Sequence, residues 1–167
     1  DKASSGVCFT LEPDSGFRDI VHISGVWGLG ENIVQGTVTP DEFFVFKPTL
    51  AQGKNAIVQK RLGEKAKTMI YGDDENKRVV NVATPIEKQE QFVLSDEEVT
   101  KLANWAMIIE NHYQKPMDIE WAKDGITNQL FIIQARPETV HSQKNPLQLK
   151  EYKLSKKGTA VTQGDAI

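Results

Sequence analysis

The chain carries a single cysteine, Cys8, so no intrachain disulfide can staple the fold. Flanked by Val7 and Phe9, Cys8 reads as a buried thiol, which fits a reducing, cytoplasmic setting. Histidine is scarce as well: His22, His112 and His141 are the only three, and none sits in a nucleophile-like setting. No apolar run approaches the roughly 20 residues needed to cross a bilayer, and no leader pattern opens the chain. An initiator methionine is also missing, and Asp1 to Gly6 leads straight into a strand pattern, as expected of a piece cut from a longer polypeptide. Excess positive charge is lacking: the net charge is −3 and the isoelectric point about 5.7, which argues against nucleic acid or an anionic membrane surface as partner. Internal repeats and low-complexity tracts are absent.

What is present is an ordinary globular composition, 39% hydrophobic and 26% charged over 167 residues, enough for one domain with a real core. Its most informative stretch runs from Pro116 to Val140. Met117, Ile119 and Trp121 alternate strictly with Asp118 and Glu120, the period of a strand with one apolar face. Leu130 to Arg136 is a second strand, apolar at first and polar at Gln134 and Arg136. Lys123 to Asn128 between them has turn chemistry, with Gly125 and Asn128 available for positive φ. A connection this short excludes a parallel crossover, so the two strands form an antiparallel hairpin. If their polar faces coincide, two carboxylates, an amide and a guanidinium converge above one sheet.

A polar strand face is often only the solvated side of a sheet, and that alternative stands. Against it, Phe131-Ile132-Ile133 is apolar on both faces, the pattern of a strand covered on both sides. Buried charges at the end of such a strand cost several kcal/mol each unless compensated. Hard divalent cations take oxygen ligands, and Mg²⁺ takes one or two carboxylates plus substrate phosphates. Arg136 offers the planar donor fork that suits a phosphate. The set has the composition of a nucleotide-phosphate and Mg²⁺ site.

Elsewhere, Gly6–Leu11, Asp19–Ser24 and Asp41–Lys47 read as strands, as do Ala56–Arg61, Lys67–Tyr71 and Arg78–Val82. Gly25 to Glu31 is a glycine-rich loop. It is no Walker loop, since no Gly-Lys-Ser/Thr follows, and no dinucleotide fingerprint, since Ile33 replaces the third glycine. Its glycines serve a tight backbone path, or the loop borders a phosphate site with Glu31 near the metal or holding a basic residue. Lys60, Arg61, Lys65 and Lys67 form a local basic patch, which reads as a solvated face, with contact to phosphates as the alternative. Ser95 and Glu98 have capping-box spacing. The helix that follows runs to about Tyr113, with Val99, Leu102, Ala103, Ala106, Ile109 and Tyr113 on the face that packs against the hairpin's sheet.

Met117 to Gly125 followed by Leu130 to Val140 resembles the dikinase family that includes phosphoenolpyruvate synthases, pyruvate phosphate dikinases and rifampicin phosphotransferases, the synthase branch most closely. The resemblance extends through Ser5–Thr10, Trp27–Gly36 and Pro40–Pro48 and spans nearly the whole chain, weakest from about Gly53 to Gln91. It implies an α+β fold, the C-terminal half of an ATP-grasp nucleotide-binding domain, with a mostly antiparallel sheet and a packed helix at about 95–113. It implies ATP and Mg²⁺ as cofactors. Glu120 and Gln134 match the family's metal and nucleotide-phosphate positions, Arg136 its phosphate-contacting and catalytic arginine, and Asp118 an acidic residue beside them. Glu31 is expected to border the nucleotide.

The same resemblance places residues 1–140 in the ATP-binding domain, 141–148 in a linker and 149–167 in the start of a swivelling phosphohistidine domain. It implies that the parent uses ATP to phosphorylate a carrier histidine and then pyruvate, giving phosphoenolpyruvate, AMP and phosphate. Pyruvate and the carrier histidine would be met by domains outside this chain, and the fragment alone is expected to be inactive. A sister dikinase, an antibiotic phosphotransferase or a non-enzymatic nucleotide-binding module are the alternatives.

Overall fold

The computed structural model describes residues 3–74 and 77–139. The expected linker at 141–148, the segment 149–167 and His141 lie outside the described residues. In chain order the elements are β1 (Ser4–Phe9), β2 (Ile20–Trp27), α1 (Glu31–Val34), β3 (Asp41–Phe46), α2 (Lys47–Ala51) and β4 (Ile57–Arg61). There follow β5 (Lys67–Asp74), β6 (Lys77–Ala83), α3 (Ile86–Gln89), α4 (Asp96–Tyr113), β7 (Met117–Lys123) and β8 (Leu130–Pro137). The fold is α+β, as expected. Six strands form one antiparallel sheet in the order β4-β3-β2-β1-β7-β8, and β5 pairs with β6 as a separate hairpin.

One face of the large sheet carries the core. Cys8, Val21, Ile23, Phe43, Val45, Met117, Ile119 and Trp121 point to it, and all are essentially inaccessible. Helix α4 covers this face with Val99, Leu102, Ala103 and Ala106. Burying a Val or Leu side chain contributes about 1.5–3 kcal/mol each, an upper figure for a compact unfolded chain. The capping box forms as expected: Ser95 Oγ accepts from the Glu98 amide and Glu98 Oε2 accepts from the Ser95 amide. Two ion pairs fix the helix at either end, Glu98 to Lys123 at 2.6 Å and Glu110 to Lys47 at 2.7 Å. Tyr113 departs from expectation. It is 53% exposed, because the last turn of α4, although in phase, packs nothing there.

The 62–66 segment overturns the basic patch. Lys65 is fully buried, and its ammonium donates to Asp41 Oδ1, the Gly63 carbonyl at 2.9 Å and the Gln89 carbonyl at 3.1 Å. Asp41 is equally buried and also accepts from the Gly63 and Val93 amides, each at 2.8 Å. Three donors meet three acceptors, so the ion pair is satisfied in the interior. Lys60 and Arg61 pair with Asp96 and Glu42 on the surface. Lys65 is therefore withdrawn from the patch, and Lys60 and Arg61 serve separate acidic partners.

Candidate functional site

Strand β1 alternates between the two faces, and its register aligns Cys8 with Ile119 and Val7 with Glu120. Asp118 and Glu120 therefore point away from α4, onto the open face of the sheet. Across the next pairing Asp118 lies opposite Arg136 and Glu120 opposite Gln134. Directly opposed residues in an antiparallel pair share a face, with Cβ atoms roughly 5 Å apart. The four polar side chains converge as the alternation predicted.

The convergence depends on a β-bulge that the alternation does not reveal. Leu130 and Ile132 face the core, opposite Lys123 and Trp121. Gln134 and Arg136 have the same even parity and would join them in a regular strand. Between Glu120 and Trp121 the register shifts, and Ile133 is the extra residue on β8. That insertion inverts the parity, sending Gln134 and Arg136 to the open face. It also corrects the expectation that β8 is covered on both sides. β8 is an edge strand, and its outward-facing Phe131 and Ile133 are 48% and 62% exposed.

Asp118 and Arg136 form an ion pair: Nε of the guanidinium donates to Asp118 Oδ2 at 2.8 Å, and Nη2 lies 2.8 Å from the same oxygen. The hydrogen bonds and charge of Asp118 raise the Arg136 pKa, so the group is a permanent cation. Glu120 and Gln134 differ from this pair. Neither side chain has a hydrogen-bond partner among the described residues, and they stand side by side as two oxygen-bearing groups. No group of three or more His, Cys, Asp or Glu side chains suited to a metal is gathered among the described residues.

The fifth expected site residue, Glu31, lies on the rim of the same region. A groove of about 580 Å³ is lined by Ser5, Gly28, Glu31, Tyr71, Glu120 and Ile133, among others. Glu31 and Glu120 thus face one cavity, whereas Asp118, Gln134 and Arg136 lie on the adjoining sheet surface and do not line it. The glycine-rich loop takes the tight backbone path expected of it. Gly28 has φ of +78°, and a Cβ there would lie 2.2 Å from the Met69 carbonyl oxygen. Gly25 lies within β2, where a Cβ would reach 2.9 Å from the Trp121 ring, so its glycine makes room for the core. Gly28 and Gly30 border the groove with Glu31.

Sequence inspection did not find the contribution of the β5–β6 hairpin. Tyr71 and Val79 supply the groove wall opposite β1 and β7. The hairpin is joined to the loop by a hydrogen bond from the Leu29 amide to the Met69 carbonyl at 2.9 Å, within an isolated parallel bridge. Nothing local to residues 67–83 signals this; the pairing spans some forty residues of sequence.

Among the described residues no helix is long and apolar enough to cross a membrane. A family model described as the pyruvate phosphate dikinase AMP/ATP-binding domain matches residues 1–157. The chain is 50% identical to a phosphoenolpyruvate synthase of Aquifex aeolicus (strain VF5) and 52% identical to one of Pseudomonas aeruginosa (strain UCBPP-PA14). It is 48% identical to the phosphoenolpyruvate synthase of Escherichia coli (strain K12). Each alignment covers 100% of this chain and 21% of the relative, so the chain spans about a fifth of the length of the curated relatives it matches. With a sheet that bears this site on its open face and a family match over almost its whole length, the chain belongs to the pyruvate phosphate dikinase AMP/ATP-binding domain family.

Proposed function

We propose that this chain supplies the acidic, arginine-bearing wall of the ATP site in a phosphoenolpyruvate synthase. In the parent, ATP phosphorylates a carrier histidine and then pyruvate, giving phosphoenolpyruvate, AMP and phosphate. The observation that carries this is the opposed pair Glu120 and Gln134, whose side chains have no hydrogen-bond partner among the described residues and stand beside the Asp118-bound guanidinium. Supporting it are the names of the relatives and the AMP/ATP-binding description of the family.

The donor set suits Mg²⁺. One carboxylate and one amide oxygen are hard ligands, and a Mg²⁺ held by two protein groups completes its shell with phosphate oxygens and water. When bound, the cation neutralises charge on the polyphosphate. Glu120 and Gln134 would hold it against the sheet. Arg136 would contact the phosphoryl group that moves, adding fixed positive charge where transfer concentrates negative charge. Asp118 would orient Arg136, and Glu31 would approach the nucleotide from across the groove. Phosphoryl transfer needs positioning and charge neutralisation more than covalent chemistry from the protein, and these residues offer both. Residues 141–148 and 149–167 would then lead into the carrier domain, and pyruvate would bind elsewhere in the parent.

The test is Glu120→Gln in the full-length protein, followed by the rate of histidine phosphorylation from labelled ATP. The rate should fall on the order of 10²-fold, with partial recovery at high Mg²⁺. An unchanged rate and an unchanged Mg²⁺ requirement would remove Glu120 from the site.

A further inference from the structure

Glu31 begins α1, a helix of only four residues, Glu31–Val34, too short to hold itself in place. Its side chain is exposed and has no hydrogen-bond partner among the described residues. Yet the next residue, Asn32, is completely buried. The Asn32 Nδ2 donates to Asn81 Oδ1 on β6 at 2.8 Å. The Asn32 Oδ1 accepts from the Thr37 hydroxyl at 2.9 Å, and the Asn32 carbonyl accepts from the Thr37 amide at 3.0 Å. A buried amide with both ends bonded is a specific anchor, because leaving either end unmade costs about 1–3 kcal/mol.

From this geometry we infer that Asn32 and Asn81 are positioning residues that hold Glu31 over the groove, making the β5–β6 hairpin a structural part of the nucleotide site. The inference rests on the reading of Glu31 as a nucleotide-site residue. Three features support it. The hydrogen bond joins the residue next to Glu31 to the same hairpin that supplies Tyr71 and Val79 to the groove wall. The hairpin is held to the glycine loop a second time through Leu29 and Met69, so loop, helix and hairpin form a closed frame around Glu31. The loop is in turn fixed to the sheet by the Ser5 hydroxyl, which donates to the Gly28 carbonyl at 2.7 Å, one strand from Glu120. The register of Glu31 against Glu120 is therefore set by contacts that reach across the groove, and the Asn32–Asn81 bond is the one that touches α1.

Asn81 is exposed, so its substitution should leave the fold intact, and its oxygen is the acceptor. An aspartate keeps that acceptor and an alanine removes it. The experiment uses the full-length protein as Glu31→Gln, Asn81→Ala, Asn81→Asp and the double variant Glu31→Gln/Asn81→Ala. KM for ATP–Mg²⁺, kcat and the melting temperature are measured for each. Loss of an outer-sphere partner costs on the order of 10-fold. Glu31→Gln and Asn81→Ala should each raise KM by about that factor, with kcat changed less, and Asn81→Asp should stay near wild type. The double variant should be no worse than Glu31→Gln alone, because both act through one side chain.

Additive effects in the double variant would overturn the inference, as would an Asn81→Ala protein with wild-type KM beside a defective Glu31→Gln. In either case the reading of Glu31 as a site residue would stand. A wild-type KM for Glu31→Gln would instead refute that reading and the inference with it. A lowered melting temperature in Asn81→Ala without a change in KM would make the bond purely structural.

Discussion

Arg136 meets Asp118 on a single oxygen, Oδ2, to which Nε donates a hydrogen bond at 2.8 Å and which Nη2 approaches as an ion pair at 2.8 Å. The carboxylate side chain is 14% exposed and the guanidinium 61% exposed. Asp118 therefore fixes one edge of the guanidinium and leaves the remainder turned toward the open face.

That arrangement makes Arg136→Ala in the full-length protein a test of function more than of stability. The rate of histidine phosphorylation from ATP should fall on the order of 10²-fold or more, while an exposed ion pair contributes only about 0–1 kcal/mol to folding. Arg136→Lys should recover part of the rate, since an ammonium cannot engage Asp118 and a phosphate with one planar fork. A near-normal rate for the alanine variant would reduce Arg136 to a surface ion pair.

The isolated 167-residue chain should bind ATP–Mg²⁺ weakly or not at all. Its groove presents Glu31 and Glu120, and these carboxylates repel a triphosphate unless a cation accompanies it. An ATP-grasp site is a cleft between two subdomains, and the opposing wall would come from the rest of the parent. Titration calorimetry with ATP, with and without Mg²⁺, distinguishes the cases. Micromolar, Mg²⁺-dependent affinity would show that this wall suffices.

The buried pair Asp41–Lys65 should matter more to folding than the surface pairs. Removing one member of such a pair costs about 3–5 kcal/mol, because the other charge is left uncompensated. Asp41→Ala should be the more damaging change, since the Gly63 and Val93 amides lose their acceptor along with the ammonium. Lys65→Met removes only the cation and fills similar space. Urea unfolding of the two variants provides the comparison, and equal losses would mean that the amide contacts contribute nothing.

Acid should weaken the fold before the carboxylates titrate. Burial pushes the His22 pKa below its ordinary 6.5, opposed by the neighbouring Glu42 carboxylate. The unfolded chain then binds the proton more readily, so stability declines as pH falls below about 6.5 toward the folded value. At lower pH the sign is the same for Asp124, whose carboxyl is held below its ordinary value by hydrogen bonds from Thr127. His22→Gln should flatten the upper part of this decline. A variant that keeps the wild-type slope between pH 7 and 5 would place the sensitive group elsewhere.

The β7–β8 hairpin and α4 were legible because each obeys its period over a full element. Met117, Ile119 and Trp121 mark one strand face, and the capping box marks where the helix begins. The meeting of Asp118 with Arg136 and of Glu120 with Gln134 was legible only as a condition, because alternation says nothing of a bulge at Ile133. Lys65 was misread for a related reason. Its neighbours suggest a charged loop, while its partner Asp41 lies 24 residues away and is brought in by tertiary structure. The apolar Phe131 and Ile133 pointed to a covered strand, but β8 lies at the sheet edge, where apolar residues stay exposed. The hairpin's role at the groove was invisible since it arises from contacts remote in sequence.

The bulge at Ile133 also bears on which changes of length this protein can accept. Residues can be added or lost in the 124–129 turn without disturbing the pairing on either side, because the ladder is fixed by residues outside it. A single-residue deletion within 131–133 is different in kind. It would remove the bulge while keeping the pairing on either side, so that Gln134 directly follows an inward-facing residue and stays, with Arg136, on the open face. Loss of Ala135 would instead put Gln134 and Arg136 on opposite faces, so related chains that keep the site should keep the two-residue step between them and are free to lose the odd residue before it.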